Sequence, residues 1–129
     1  MNANTAAPPC PSLDHRIRRY DIWLADLPRE ENSHVQSGIR PVVIVSNDGA
    51  TLHSPVVSIV PLTSRLNKIA LPTHVFLRAD GLDRASLALC EQIITLDKGR
   101  LLRRLGEVTD PFQRLSIQHS LAVHLGMIA

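Results

Sequence analysis

Two β-branched runs constrain this 129-residue chain more than anything else in it. Residues 41–46 read PVVIVS and residues 55–62 read PVVSIVPL. Consecutive Val and Ile lose side-chain freedom in a helix but pack well on a pleated surface. Each run therefore reads as a buried strand. Pro61 inside the second implies an edge or a bulge, because proline offers no N–H to a ladder. Further strands are expected over residues 20–27 (YDIWLADL), 73–77, 86–96 (SLALCEQIITL) and 105–108. Asn47-Asp48-Gly49 and Asp80-Gly81 read as turns. A single strand over 86–96 would carry Glu91 and Gln92 in its middle, on opposite faces unless a bulge intervenes.

Between the first two strands lies a polar loop, residues 28–38 (PREENSHVQSG), long enough to be suspected of function. A second loop over 63–70 carries Arg65 and Lys68. Asp97 can cap a short helix bearing Lys98, Arg100 and Arg103. The C-terminal helix is signalled more strongly: Asp110 as N-cap, Pro111 at N1 and Gln113 at N3, as in a capping box. Phe112, Leu115, Leu121, Ala122 and Leu125 mark one apolar face, and Gly126 can end the helix. The expected class is mainly β with short helices (α+β): a small, strongly bent antiparallel barrel with a C-terminal helix.

Length implies one domain, residues 16–129, after a Pro-rich flexible tail over residues 1–15. Aromatics are only 3% of the chain, so the core must rest on Val, Ile and Leu. That scarcity also argues against sheets that stack bases on Phe and Tyr. A net charge of +2 permits a polyanionic partner without demanding one. Cys10 and Cys90 read as reduced thiols, which points to the cytoplasm. No segment has the apolar length of a membrane span, and the first residues lack the pattern of a secretory signal. The six histidines do not pair with Cys or Glu at ligand spacing, so neither a metal nor another cofactor is expected. Glycine-rich phosphate loops and nucleophile elbows are missing too.

Five ordered blocks nevertheless form a pattern. They are Arg19-Tyr20-Asp21-Ile22-Trp23; the run from Gly38-Ile39-Arg40-Pro41 to Ser46-Asn47-Asp48; Val60-Pro61-Leu62-Thr63-Ser64; Leu71-Pro72-Thr73-His74-Val75; and Cys90-Glu91-Gln92-Ile93 onward to Leu101. With the terminal Leu125-Gly126-Met127-Ile128, the set resembles the MazF/PemK family of toxin endoribonucleases over about residues 17–128. The resemblance implies a dimeric SH3-like barrel that cleaves single-stranded RNA at a short sequence and is neutralised by a small antitoxin. It implies a catalytic pair at Arg40 and Thr63, with RNA contacts from His34, Gln36, Ser64, His74, Glu91 and Gln92. The chain departs from the family in two places. Tyr20 stands where the family usually has Gly, and Ser33-His34-Val35-Gln36-Ser37-Gly38 stands for the usual Gly-Ser-Glu-Gln-Gly-Gly, retaining its Gln but replacing the neighbouring Ser-Glu by His34-Val35.

Metal-free RNA cleavage can use the substrate's 2′-OH as nucleophile, giving a 2′,3′-cyclic phosphate and a 5′-OH. Something must take the 2′ proton, neutralise the phosphorane, and protonate the leaving oxygen. Arginine's planar fork suits the second task, and its high pKa makes it a poor base. Thr63 can orient the 2′-OH or donate to a phosphate oxygen. His34 and His74 are the candidates for proton transfer. Each residue has a plainer reading: Arg40 as a solvated charge, Thr63 as a turn hydroxyl, His74 as a satisfied strand histidine, and Lys98, Arg100, Arg103 and Arg104 as a solvated helix face. Two other functions fit the same barrel. One is a gyrase-binding toxin without catalysis, and the other a nucleic-acid-binding barrel without cleavage.

Overall fold

The computed structural model describes residues 17–66 and 71–129; the expected tail over residues 1–15, with Cys10, and also Lys68 lie outside the described residues. Seven strands follow in chain order: β1 (Asp21–Leu27), β2 (Gly38–Ile44), β3 (Val56–Thr63), β4 (His74–Leu77), β5 (Ser86–Leu89), β6 (Ile94–Asp97) and β7 (Leu101–Glu107). Helix α1 (Asp48–His53) sits between β2 and β3, and helix α2 (Pro111–His124) ends the chain. Single 3₁₀ turns occupy Cys90–Gln92 and Lys98–Arg100.

The strands form one antiparallel sheet in the order β4-β5-β3-β2-β1-β7, with β6 also paired to β3. The expected barrel is open, since no ladder joins β4 to β7 among the described residues. Backbones from the two ends still meet, because the turn at Asp80 and Gly81 abuts Leu105 and Gly106 with no room for a side chain at either glycine.

β3 is central, not an edge, and Pro61 explains its neighbours. Val45 N–H donates to Ser58 O at 2.9 Å, so the polar groups of Ser58, and by alternation those of Val60, face β2. Pro61 then faces the other edge, where it has no N–H to give. On that edge β6 pairs with β3 as far as Ile59↔Ile94, and β5 resumes at Leu62↔Ala88. The strand expected over 86–96 is therefore interrupted opposite Pro61, and residues Cys90–Gln92 loop out as a 3₁₀ turn.

Alternation along the β-branched runs fills both faces of the sheet. Val43, Val45, Val60 and Leu62 join one core with Ile22, Val75, Leu77, Ala88, Cys90, Val108 and Ile117. Val42, Ile44, Val57 and Ile59 join a second with Ile17, Trp23, Ala25, Leu27, Leu96 and Leu101. Three local expectations need correction. Asn47-Asp48-Gly49 opens α1 rather than a tight turn, with Asn47 Oδ1 accepting from Ala50 N at 2.7 Å. Arg103 lies on β7, not on a helix. On α2 the capping by Asp110 is as expected, its Oδ1 accepting from Phe112 N at 2.9 Å. The face turned to the sheet carries Ile117 and Ser120 together with the expected Leu121, while Phe112, Leu115 and Leu125 of the expected face are exposed.

Candidate active site

Arg40 lies in the first half of β2, opposite Ala25 of β1. Its side chain is half-buried, and its Nε–H donates to Ser37 O at 2.7 Å. That bond fixes the guanidinium by one nitrogen and leaves the two-pronged Nη edge for a bidentate acceptor. The β2–β3 register ends at Val42↔Pro61. Continued two residues further, it runs through Arg40 and Thr63, where the strands part as β3 turns to β5. Paired positions share a sheet face, so both side chains leave on the face of Val42 and Pro61. Thr63 is buried at 4% exposure, and its Oγ1 accepts from Arg65 N at 3.2 Å, keeping its own proton to donate.

The loop ahead of Arg40 is tied down at one point. Gln36 N–H donates to Gln92 Oε1 at 2.8 Å across 56 positions of sequence. His34 is exposed on the same loop, and Ser64 is exposed beyond Thr63. Arg40 and Ser64, but not Thr63, border an open depression of about 640 Å³ that is shared with Arg84, Arg103 and Arg104 and lies on the face of Pro41 and Leu62, opposite that of Thr63. Arg84 was not singled out in the sequence, where it is one arginine of a patternless loop; only the approach of that loop to β7 brings it here. Arg104 is partly neutralised by Asp21 at 3.3 Å and Glu107 at 3.7 Å.

Glu91 and Gln92 part company because the turn at Cys90–Gln92 breaks strand alternation. While Gln92 reaches the loop, Glu91 binds Thr73 Oγ1 and His74 Nε2, both at 3.1 Å. Leu71 N–H donates to His74 Nδ1 at 3.4 Å, so Nδ1 accepts and the neutral ring carries its proton on Nε2, donating to Glu91. His74 is thus fully engaged, with a side chain only 6% exposed. Next to this pair, Cys90 has its thiol pKa pushed up to about 12 by burial and by the charge of Glu91. Among the described residues, no three His, Cys, Asp or Glu side chains converge as a metal site.

A model of the PemK-like, MazF-like toxins of type II toxin–antitoxin systems matches residues 18–122. The chain belongs to the PemK/MazF toxin family. A relative from Staphylococcus saprophyticus, named endoribonuclease MazF, is 41% identical over 113 residues, which is 86% of this chain and 92% of that protein. By family and by this relative, the chain is a toxin endoribonuclease. Among solved structures, a mycobacterial endoribonuclease in complex with its cognate antitoxin superposes with a TM-score of 0.72 at 31% identity, covering 88% of this chain and 98% of that one. MazF from Deinococcus radiodurans superposes with a TM-score of 0.70 at 25% identity, covering 85% and 96% of the two chains. No helix among the described residues of this PemK/MazF toxin is long and apolar enough to cross a membrane.

Proposed function

We propose that this toxin cuts single-stranded mRNA at a short sequence, without a metal ion, using the substrate's own 2′-OH. What supports this is Arg40, held through its Nε at 2.7 Å, on the strand position that would oppose Thr63 if the β2–β3 register ran two residues past Val42↔Pro61. The 2′ oxygen attacks phosphorus, the bond from phosphorus to the 5′ oxygen breaks, and the ends are a 2′,3′-cyclic phosphate and a 5′-OH. The Nη fork of Arg40 meets the charge that develops on the phosphorane oxygens. Thr63 donates its hydroxyl proton to a phosphate oxygen or orients the 2′-OH. His34, Gln36 and Ser64 contact the RNA. Since both ring nitrogens of His74 are engaged, exposed His34 is the better-suited proton carrier of the two. Glu91 and His74 are bonded to each other and in this reading contact the RNA rather than move a proton.

In this reading the active form is a cytoplasmic homodimer with a groove shared by two copies, for which RNA and an antitoxin compete. Relatives solved with their antitoxins support the second partner.

The test is single-turnover cleavage of a short RNA, with no other protein present, and sequencing of the new 5′ ends. Arg40→Ala should slow cleavage roughly 100- to 1000-fold, the usual loss for one electrostatic donor. Arg40→Lys should recover only part, being a point charge rather than a fork. Thr63→Ser should keep much of the rate and Thr63→Ala little, and EDTA should change nothing. If Arg40→Ala stays folded and cuts at the wild-type rate, the assignment fails. Failure of the wild type to cut RNA alone would point to a toxin that acts by binding.

A further inference from the structure

Two hydrogen bonds meet on adjacent residues of the loop. Gln36 donates its N–H to Gln92 Oε1 at 2.8 Å, and Ser37 offers its carbonyl to Arg40 Nε at 2.7 Å. Two residues of backbone span at most about 7 Å, so a shift at Gln36 reaches Ser37 almost undamped. Gln92 itself stands on a firm base. Its turn is looped out opposite Pro61, Cys90 N–H is bonded to Thr73 O at 3.0 Å, and Glu91 is bonded to Thr73 and His74. The loop has weaker means of its own: Val35 N–H bonds Ser33 Oγ at 3.1 Å within it, and Gly38 leaves it at φ +80°, where the chain swings into β2.

We propose that Gln92 is a positioning residue for Arg40: its side-chain oxygen pins Gln36, and the adjoining Ser37 carbonyl aims the guanidinium. Gln92 touches no reacting atom in this scheme. Its Oε1 is the part that matters, and its NH2 is dispensable. The proposal rests on Arg40 as the charge-stabilising residue, but the hydrogen-bond relay is measurable without any reaction.

The experiment compares Gln92→Met, which keeps length and loses the acceptor, with Gln92→Glu, which keeps an acceptor oxygen and loses the NH2. First, NMR hydrogen exchange is read at the Gln36 amide and at Arg40 Nε–H in the intact protein. Both should exchange faster in Gln92→Met and stay protected in Gln92→Glu. Second, single-turnover rates are taken at saturating RNA, so that the weaker affinity caused by the added carboxylate falls in KM. Gln92→Met should lose roughly ten- to a hundredfold in rate, the scale of an angstrom-sized misplacement, while Gln92→Glu stays within a few-fold of wild type. Third, in an Arg40→Lys background, which has no Nε, Gln92→Met should cost almost nothing further. Equal rate losses in both Gln92 variants, or a changed cleavage motif with the two exchange signals unmoved, would make Gln92 a base contact and overturn the proposal. So would a Gln92→Met protein that is folded, loses Gln36 protection, and retains both Arg40 Nε protection and full rate. If the wild type does not cut RNA, the functional reading fails on its own, and the exchange data still decide whether Gln92 positions Arg40.

Discussion

Tyr20 sits at φ +73°, a backbone region that costs an L-residue about 1–2 kcal/mol. The family pattern that the sequence resembles carries glycine at this position, and a glycine would meet this φ without strain. Here the ring is kept by what surrounds it: the Arg19 and Arg114 guanidiniums lie 4.9 and 4.8 Å from its centroid, and Gln118 Nε2 bonds its hydroxyl at 2.6 Å. Tyr20→Ala and Tyr20→Gly lose these contacts equally, but only glycine relieves the strain. Urea denaturation should find the glycine variant more stable by about 1 kcal/mol, against the usual order of the two residues. An alanine variant of equal or greater stability would show that the position is not held at positive φ. The Cys90 thiol carries a pH signature. Burial first, and then the charge of Glu91, raise its folded pKa to about 12 from 9.0. A raised acid favours its neutral form on folding, so this contribution is fully present below pH 9 and is lost as pH rises towards 12. Urea midpoints should fall over that range more steeply in wild type than in Cys90→Ala. Parallel pH profiles would remove Cys90 as the cause.

β2 and β3 were legible because β-branched residues have few other uses and both strands fall where Val and Ile cluster, while β1 was read from its apolar residues on alternate faces. The break in the run SLALCEQIITL was not, because its cause lies on another strand: Pro61 leaves nothing to pair with. Pro61 did signal a bulge, although the bulge appeared on its partner. Helix α1 escaped notice because Asn47-Asp48-Gly49 suits a turn and a capped helix equally well. Of the proposed site, Arg40 and Thr63 could be singled out only through family resemblance, and the tie from Arg40 to Ser37 not at all, since a carbonyl leaves no mark in sequence. The approach of the β4–β5 connection to β7 was equally hidden. There a Cβ at Gly106 would overlap Asp80 O, and one at Gly81 would overlap Leu105 O. Backbone meets backbone, so no flexible side chain can yield. Gly106→Ala should destabilise the fold by about 1–3 kcal/mol through overpacking, read as a lower urea midpoint, while Gly99→Ala, with open space around it, should be nearly silent. Equal effects at the two positions would mean that the contact is not rigid.

One misreading of α2 bears on the assembly. Phe112 and Leu115 have the spacing of a core-facing stripe, yet they are 77% and 58% exposed, while Ile117 and Ser120 face the sheet. Periodicity reports that a face is apolar and says nothing of what covers it. Exposed Phe76 on β4 adjoins Leu115 along a shallow depression that also includes Val75 and His119. Apolar surface of this kind on one side of a small domain fits a twofold contact, in which each copy covers the other's patch. A dimer built this way gains stability by mass action, so the melting temperature of the wild type should rise with protein concentration. Leu115→Glu puts a charge in the centre of the patch without touching either core. It should give a folded monomer by sedimentation, with a melting temperature independent of concentration. Cleavage should fall with the dimer fraction if the RNA groove is shared between copies, whereas a monomer that cuts at full rate would confine the site to one chain. An intact Leu115→Glu dimer would move the interface elsewhere and leave the apolar face of α2 to another partner.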